Sequence, residues 1–175
     1  MQVTELPARI DIDRLARGRH DFAGPLPAVA LPRLEASGAH PDSASASLSI
    51  DTSGGLPRLE GRCQASLNVT CERCLGPLAI DIEGDFERVV VDRIEAADTL
   101  EPPEAVVVAP AGRLDLLALL EDELLLAMPV VPRHASDDCD GGVRWFGPAG
   151  AAPPRRDNPF TVLESLKSHD SGEAH

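Results

Sequence analysis

From residue 44 the chain alternates between apolar and polar positions. Ala44, Ala46, Leu48 and Ile50 fall between Ser43, Ser45, Ser47, Ser49 and Asp51, and a period of two predicts a strand with one buried face. Thr52-Ser53-Gly54-Gly55 supplies a turn. Leu59, Gly61, Cys63, Ala65, Leu67 and Val69 then alternate with Glu60, Arg62, Gln64, Ser66, Asn68 and Thr70, predicting a long second strand that ends at Cys71. After the turn at Gly76-Pro77, Leu78, Ile80, Ile82 and Phe86 alternate with Asp81, Glu83, Asp85 and Glu87. The alternation slips at Val89, Val90 and Val91, where a bulge or a fully covered strand end is expected. Three such strands joined by short turns predict an antiparallel meander with one wet face. Ala105 to Ala109 reads as a further short strand, after an acidic, proline-containing link from Glu95 to Glu104 that is expected to be a mobile loop.

The segment Arg113 to Met128 has the length and leucine density of a helix, with Asp115 in its first turn and Pro129 and Pro132 ending it. Its mostly apolar circumference predicts packing across the dry face of the sheet, with Glu121-Asp122-Glu123 on the outer, solvated side. Before the strands, residues 1–41 carry Pro25, Pro27, Pro32 and Pro41, which forbid long regular elements; Ile10 to Arg19 reads as a short helix capped by Asp11. After Cys139, glycines and prolines give a linker composition, and Asn158-Pro159 then opens a short amphipathic helix with Phe160, Leu163 and Leu166 on one face, suited to docking. The expected architecture is α+β: an antiparallel meander covered by one long helix, with a short C-terminal helix after a Gly/Pro linker. Its parts are a lead-in packing on the domain (1–41), a core domain (42–140), and the linker with its NPF helix (141–175).

Composition narrows the chemistry. Aromatic residues make up 3% of the 175, so the core must be built from Leu, Val, Ile and Ala. Asp and Glu outnumber Lys and Arg by 29 to 16, a net charge of −13. Such a surface repels phosphate backbones, and direct RNA contact through Arg144, Trp145, Arg155 and Arg156 is disfavoured because these are few and scattered. A basic protein partner suits the field better, although negative charge also serves solubility alone. The N-terminus lacks the basic start and apolar run of a signal peptide. The longest apolar stretch, Leu114 to Val131, is broken by five acidic or proline residues, so no membrane span is expected. A cytoplasmic protein is predicted, and there four cysteines point to metal or redox chemistry rather than disulfides.

Cys71-Glu72-Arg73-Cys74 and His134-Ala135-Ser136-Asp137-Asp138-Cys139 hold that chemistry. Together they offer three thiols and an imidazole, the ligand set that tetrahedral Zn²⁺ prefers. A CxxC at a strand end, followed by Gly76, is similar to a zinc knuckle, and Arg73 and Arg133 would offset part of the thiolate charge. The spacing leaves a second reading open, that these are four ordinary residues. A thioredoxin-like thiol–disulfide oxidoreductase needs a helix that opens at its CxxC. Gly76-Pro77 and flanks of period two leave no room for one here. Cys63 shares the parity of Leu67 and Val69 and lies roughly 26 Å from Cys71 along an unbroken strand, so it reads as a core residue. No enzyme constellation is present: there is no nucleophile elbow, phosphate-cradling loop or paired carboxylates. His20, His40, His169 and His175 are isolated.

Four motifs in order resemble the YceD family. They are Cys71-Glu72-Arg73-Cys74-Leu75-Gly76-Pro77; Asp115-Leu116-Leu117 through Glu121-Asp122-Glu123 to Pro132-Arg133-His134; Cys139; and Asn158-Pro159-Phe160 with Leu163 and Leu166-Lys167. The resemblance runs from about residue 44 to residue 167. It implies a non-enzymatic ribosome biogenesis factor of bacteria and plastids, supporting accumulation of 23S rRNA and large-subunit assembly, with suggested metal and nucleic-acid binding. It carries Cys71, Cys74, His134 and Cys139 over as the metal residues and leaves Cys63 out. Genes of this family often neighbour one for a large-subunit ribosomal protein. The resemblance therefore implies a small basic ribosomal protein, or a pre-ribosomal large-subunit particle, as partner.

Overall fold

The computed structural model describes residues 3–100, 104–135 and 139. In chain order these form β1 (Val3–Thr4), β2 (Arg9–Asp11), β3 (Arg19–Pro25), α1 (Pro32–Ala36), β4 (His40–Asp51), β5 (Arg58–Thr70), β6 (Pro77–Val91), β7 (Val106–Val108), β8 (Arg113–Asp115) and α2 (Leu116–Ala127). The linker after Cys139, the helix expected at 158–167, and Arg144, Trp145, Arg155 and Arg156 lie outside the described residues.

The three alternating segments form β4, β5 and β6, antiparallel in sequence. The sheet is larger than a three-stranded meander. Its order is β1-β3-β4-β5-β6-β7, with parallel pairing at both margins, β1 to β3 and β7 to β6. The triplet Val89, Val90 and Val91 is a fully covered strand end: all three are buried, and β6 is paired there on its outer side to β7. The link before β7 contains a 3-10 helix, Ile94–Thr99.

The lead-in is built differently from expectation. No helix spans Ile10 to Arg19; Arg9–Asp11 is a strand, Ile12–Arg14 is one 3-10 turn, and the side chain of Asp11 caps nothing. The physical reason is pairing. Ile10 sits opposite Leu114 in a two-stranded sheet of β2 with β8, and Ile10, Ile12 and Leu114 are all buried. The same pairing removes Arg113–Asp115 from the expected helix, which runs from Leu116 to Ala127. Asp115 is the N-cap, its carboxylate accepting from the Ala118 amide at 3.2 Å.

Helix α2 lies against β5 and β6. Leu116, Leu120 and Leu124, one turn apart, are fully buried, each worth roughly 2 kcal/mol in surface removed from water. A row of small residues runs across four strands, Gly24–Ala46–Cys63–Gly84, and the helix settles over its Gly84 end. A Cβ at Gly84 would stand 3.5 Å from that of Ala127.

The acidic triplet does not form an outer face. Glu121 and Glu123 are 3% and 7% exposed, and only Asp122 points outward. Glu121 accepts from the Arg33 amide (2.6 Å), the Leu34 amide (3.1 Å) and the Arg33 side chain (2.8 Å), so it anchors the start of α1. Burial tends to raise its pKa, but these donors outweigh it and hold Glu121 below the usual carboxylate range. Glu123 accepts from Arg88 at 2.5 Å; here burial dominates and pushes the carboxyl up. The helix keeps only the stripe Ala118, Asp122 and Leu126 exposed, so Glu121 and Glu123, off that stripe, must find protein partners.

The next row across the sheet is Phe22–Leu48–Gly61–Phe86, and Gly61 is enclosed within it. A Cβ there would fall 2.6 Å from the Phe86 ring, 2.7 Å from Leu48 and 2.8 Å from the Ser47 carbonyl. Gly61→Ala is therefore expected to destabilise the fold by about 1–3 kcal/mol through overpacking. Urea unfolding checks this, and an unchanged midpoint would show that the row has slack the geometry denies.

Candidate metal centre

The turn between β5 and β6 and the loop after α2 meet at one end of the sheet. Thr70 ends β5 and Pro77 opens β6, so six residues, 71–76, make the reversal. The Cys71 amide donates to the Gly76 carbonyl (2.9 Å) and the Leu75 amide to the Cys71 carbonyl (2.8 Å). Leu75 takes a positive φ of 60°, the left-handed conformation that a reversal this tight requires. The strand-like entry into β6 follows at once, so no helix opens at Cys74 and no helix dipole is aimed at either thiol.

Two contacts dock the second segment on this knuckle. The Glu72 amide donates to the Pro132 carbonyl at 2.9 Å, and the Arg73 guanidinium to the His134 carbonyl at 3.1 Å. Both bring the chain after α2 alongside the turn. Arg133 is exposed beside them.

All four residues singled out in the sequence come together. One ligand atom from each of Cys71, Cys74, His134 and Cys139 lies within 4.8 Å of every other. Cys71 Sγ is 3.5 Å from Cys139 Sγ, and Cys74 Sγ is 3.6 Å from His134 Nδ1. With bonds of about 2.3 Å to sulfur and 2.0–2.1 Å to nitrogen, a tetrahedral zinc site has edges of about 3.8 Å between sulfurs and about 3.6 Å from sulfur to nitrogen. The donor set and its spacing fit a metal ion.

The protons are already unevenly divided. Burial pushes the Cys71 thiol up, but amides of Cys74, His134 and Arg73, with the Cys139 thiol, outweigh it and bring Cys71 down to about 5. Cys139 is also lowered: burial opposes ionisation, while contacts from Cys74, Arg73 and His134 favour it. Cys74 goes the other way. The Gly76 amide, 3.4 Å from its sulfur, favours the thiolate, but Cys139, burial and Cys71 together raise the thiol. His134 is raised by its contacts with Cys139 and Cys71. The amide support from Gly76 is what the Gly after CxxC announced; the His134 amide and the Glu72–Pro132 bond carry no sequence signal, since any residue supplies a backbone group.

Cys63 stands apart. It is fully buried beneath α2, its sulfur 3.6 Å from the Gly84 carbonyl, and burial pushes its thiol up to about 11. At pH 8 about one such thiol in a thousand is ionised. Native protein exposed briefly to iodoacetamide should leave Cys63 unmodified, with or without a chelator, and unfolding should release it. Peptide mapping checks the site, and an alkylated Cys63 in folded protein would contradict its place under the helix.

Among the described residues no helix is long and apolar enough to cross a membrane. No solved structure matches the chain. Large ribosomal RNA subunit accumulation protein YceD of Haemophilus influenzae is 34% identical over 173 residues, covering 95% of this chain and 99% of that relative. The family described as Large ribosomal RNA subunit accumulation protein YceD matches residues 59–167, a span that contains both halves of the thiol–imidazole cluster. The chain belongs to the YceD family.

Proposed function

We propose that the protein is a non-enzymatic factor in ribosome biogenesis. It supports accumulation of large-subunit ribosomal RNA by holding a basic ribosomal protein or a pre-ribosomal particle, and a structural Zn²⁺ on Cys71, Cys74, His134 and Cys139 fixes its fold. The observation that carries the metal reading is the mutual approach of four ligand atoms within 4.8 Å. The ribosomal reading rests on membership of a family named for ribosomal RNA accumulation. The net charge of −13 favours a basic protein over bare RNA as the direct contact. Redox chemistry is the weaker reading, because the knuckle lacks a helix N-terminus and Cys71 is fully buried. The domain plan that goes with this function is a folded body to residue 140 and a tail beyond it that carries the Asn158–Lys167 segment.

Zinc would tie the β5–β6 turn to the segment that leaves α2, converting metal affinity into folding free energy. Protein purified without chelator is expected to carry about one zinc per chain, and Cys74→Ser to lose the metal and melt at lower temperature. Elemental analysis with a thermal melt decides; a metal-free wild type that melts with the variant would end the metal reading.

Binding must also expel protons from Cys74 and His134, both held above their ordinary values. Zinc affinity should therefore fall as pH falls, and zinc transfer to a chromogenic chelator, followed against pH, reads that slope. An affinity that rose on acidification would contradict the ligand assignment. For the ribosomal role, tagged protein in gradient-fractionated extract should travel with large-subunit precursors; absence from those fractions would count against it.

A further inference from the structure

Among the described residues, the long strands bury one face and leave the other exposed at all its row positions but the half-buried Ser45 and Ser66 and the buried Ser49. In register, the outward positions of β4, β5 and β6 form four rows: Ser43–Ser66–Asp81, Ser45–Gln64–Glu83, Ser47–Arg62–Asp85 and Ser49–Glu60–Glu87. Of these twelve positions five are acidic, one is basic and none is aliphatic or aromatic. The twelve row side chains offer an apolar partner no aliphatic or aromatic group to withdraw from water.

The charge is graded across the face. Serines line β4, and exposed acids line β6 at every second residue, about 7 Å apart. Arg62, the lone cation of the rows, is taken by Asp85 through two bonds of 2.7 and 3.1 Å, and two arginines outside the rows reach in, Arg19 to Glu60 at 2.6 Å and Arg58 to Glu87 at 3.5 Å. Asp81 is held by the Ser66 hydroxyl rather than by an arginine. The short serine side chains leave a trough of about 540 Å³ lined by Ser43, Ser45, Gln64, Ser66, Asp81 and Glu83 together with Ala44, Ala65 and Ile82. Carboxylates about 7 Å apart cannot converge on one divalent ion, whose oxygen ligands stand at 2.0–2.6 Å. They do match a second extended chain carrying cations at alternate positions, because that chain has the same repeat. The backbone of β5 is paired on both sides, so recognition here must run through side chains.

We propose that this outward face, with Asp81, Glu83, Asp85 and Glu87 as its charged wall, is the docking surface for an extended lysine- and arginine-rich polypeptide segment. The identity of the partner rests on the ribosomal reading above; the chemistry of the segment rests on the face alone. Attraction of this kind gives speed and specificity and weakens with salt.

The test uses the full chain and a fluorescein-labelled peptide of alternating lysine and serine. A variant with Asp81→Asn, Glu83→Gln, Asp85→Asn and Glu87→Gln is compared with one carrying the same charge change elsewhere: Glu5→Gln, Glu35→Gln, Glu95→Gln and Asp98→Asn. The face variant should bind about tenfold more weakly, the sum of several exposed ion pairs, while the control changes little. Equal weakening in both variants, no weakening in the first, or tighter binding of a polyuridine oligonucleotide than of the peptide would each overturn the proposal. If the fourfold variant fails to fold by circular dichroism, Glu83→Lys alone supplies the same comparison. Gradient fractionation separates the two readings. If wild type travels with precursors and the face variant does too, the surface is wrong and the ribosomal role stands; if neither does, the peptide titration still decides the surface.

Discussion

The thiol–imidazole cluster depends on bringing a two-strand turn and a post-helix loop, about sixty residues apart in sequence, to a common point. Closing so long a loop costs chain entropy, but only slowly more with length. The cost is met in stages. The row of small residues, Ala46 to Cys63 to Gly84, lets α2 settle over its Gly84 end with Ala127 beside Gly84. Helix α2 then ends where Met128 to His134 can reach the knuckle, and the Glu72–Pro132 backbone bond fixes the meeting. A bulkier residue at Gly84 would lift the helix and carry His134 away from Cys74. Packing thus sets the geometry that the thiols use.

Much of this was readable from the residues, and the rest was hidden for definite reasons. Strands β4, β5 and β6 declare themselves because one face is buried and the other wet, which forces period two. The four residues of the cluster were legible because thiols and imidazoles are rare and their spacing is informative. The first forty residues were not: β3 pairs with β4 through backbone bonds that its own composition does not advertise, and Ile10 is a strand residue only because Leu114 lies opposite. Pairing partners distant in sequence override local helix preference. The same contact shortened the helix at its start, where Asp115 caps rather than continues it.

The acidic triplet shows how one run of charges is divided by geometry. Glu121 and Glu123 flank Asp122, yet the first is bound by the start of α1 and the second by Arg88, while Asp122 meets the exposed guanidinium of Arg33. A run read as surface is safe only where the helix has a wet side, and α2 has little. The acids of β6 keep theirs because nothing among the described residues packs over them; Asp81, Glu83, Asp85 and Glu87 are all exposed. Part of the protein's negative charge therefore serves the interior, and part is displayed in a regular array.

The same accounting applies at the thiol cluster, where it argues for a cation. Cys71 and Cys139 are favoured as thiolates by amide and side-chain donors, and their negative charge in turn holds protons on Cys74 and His134. Three sulfurs at this spacing, one buried and two half-buried, disfavour one another's ionisation unless a compensating charge is present. Protons on Cys74 and His134 supply part of it; a divalent ion held by Cys71, Cys74, His134 and Cys139 would supply more. A site built only to pack would have no reason to spend three backbone amides on Cys71 and a guanidinium on Cys139, favouring thiolates over thiols. The donors around Cys71 and Cys139 make sense as preparation of ligands, which must be deprotonated before a metal can bind.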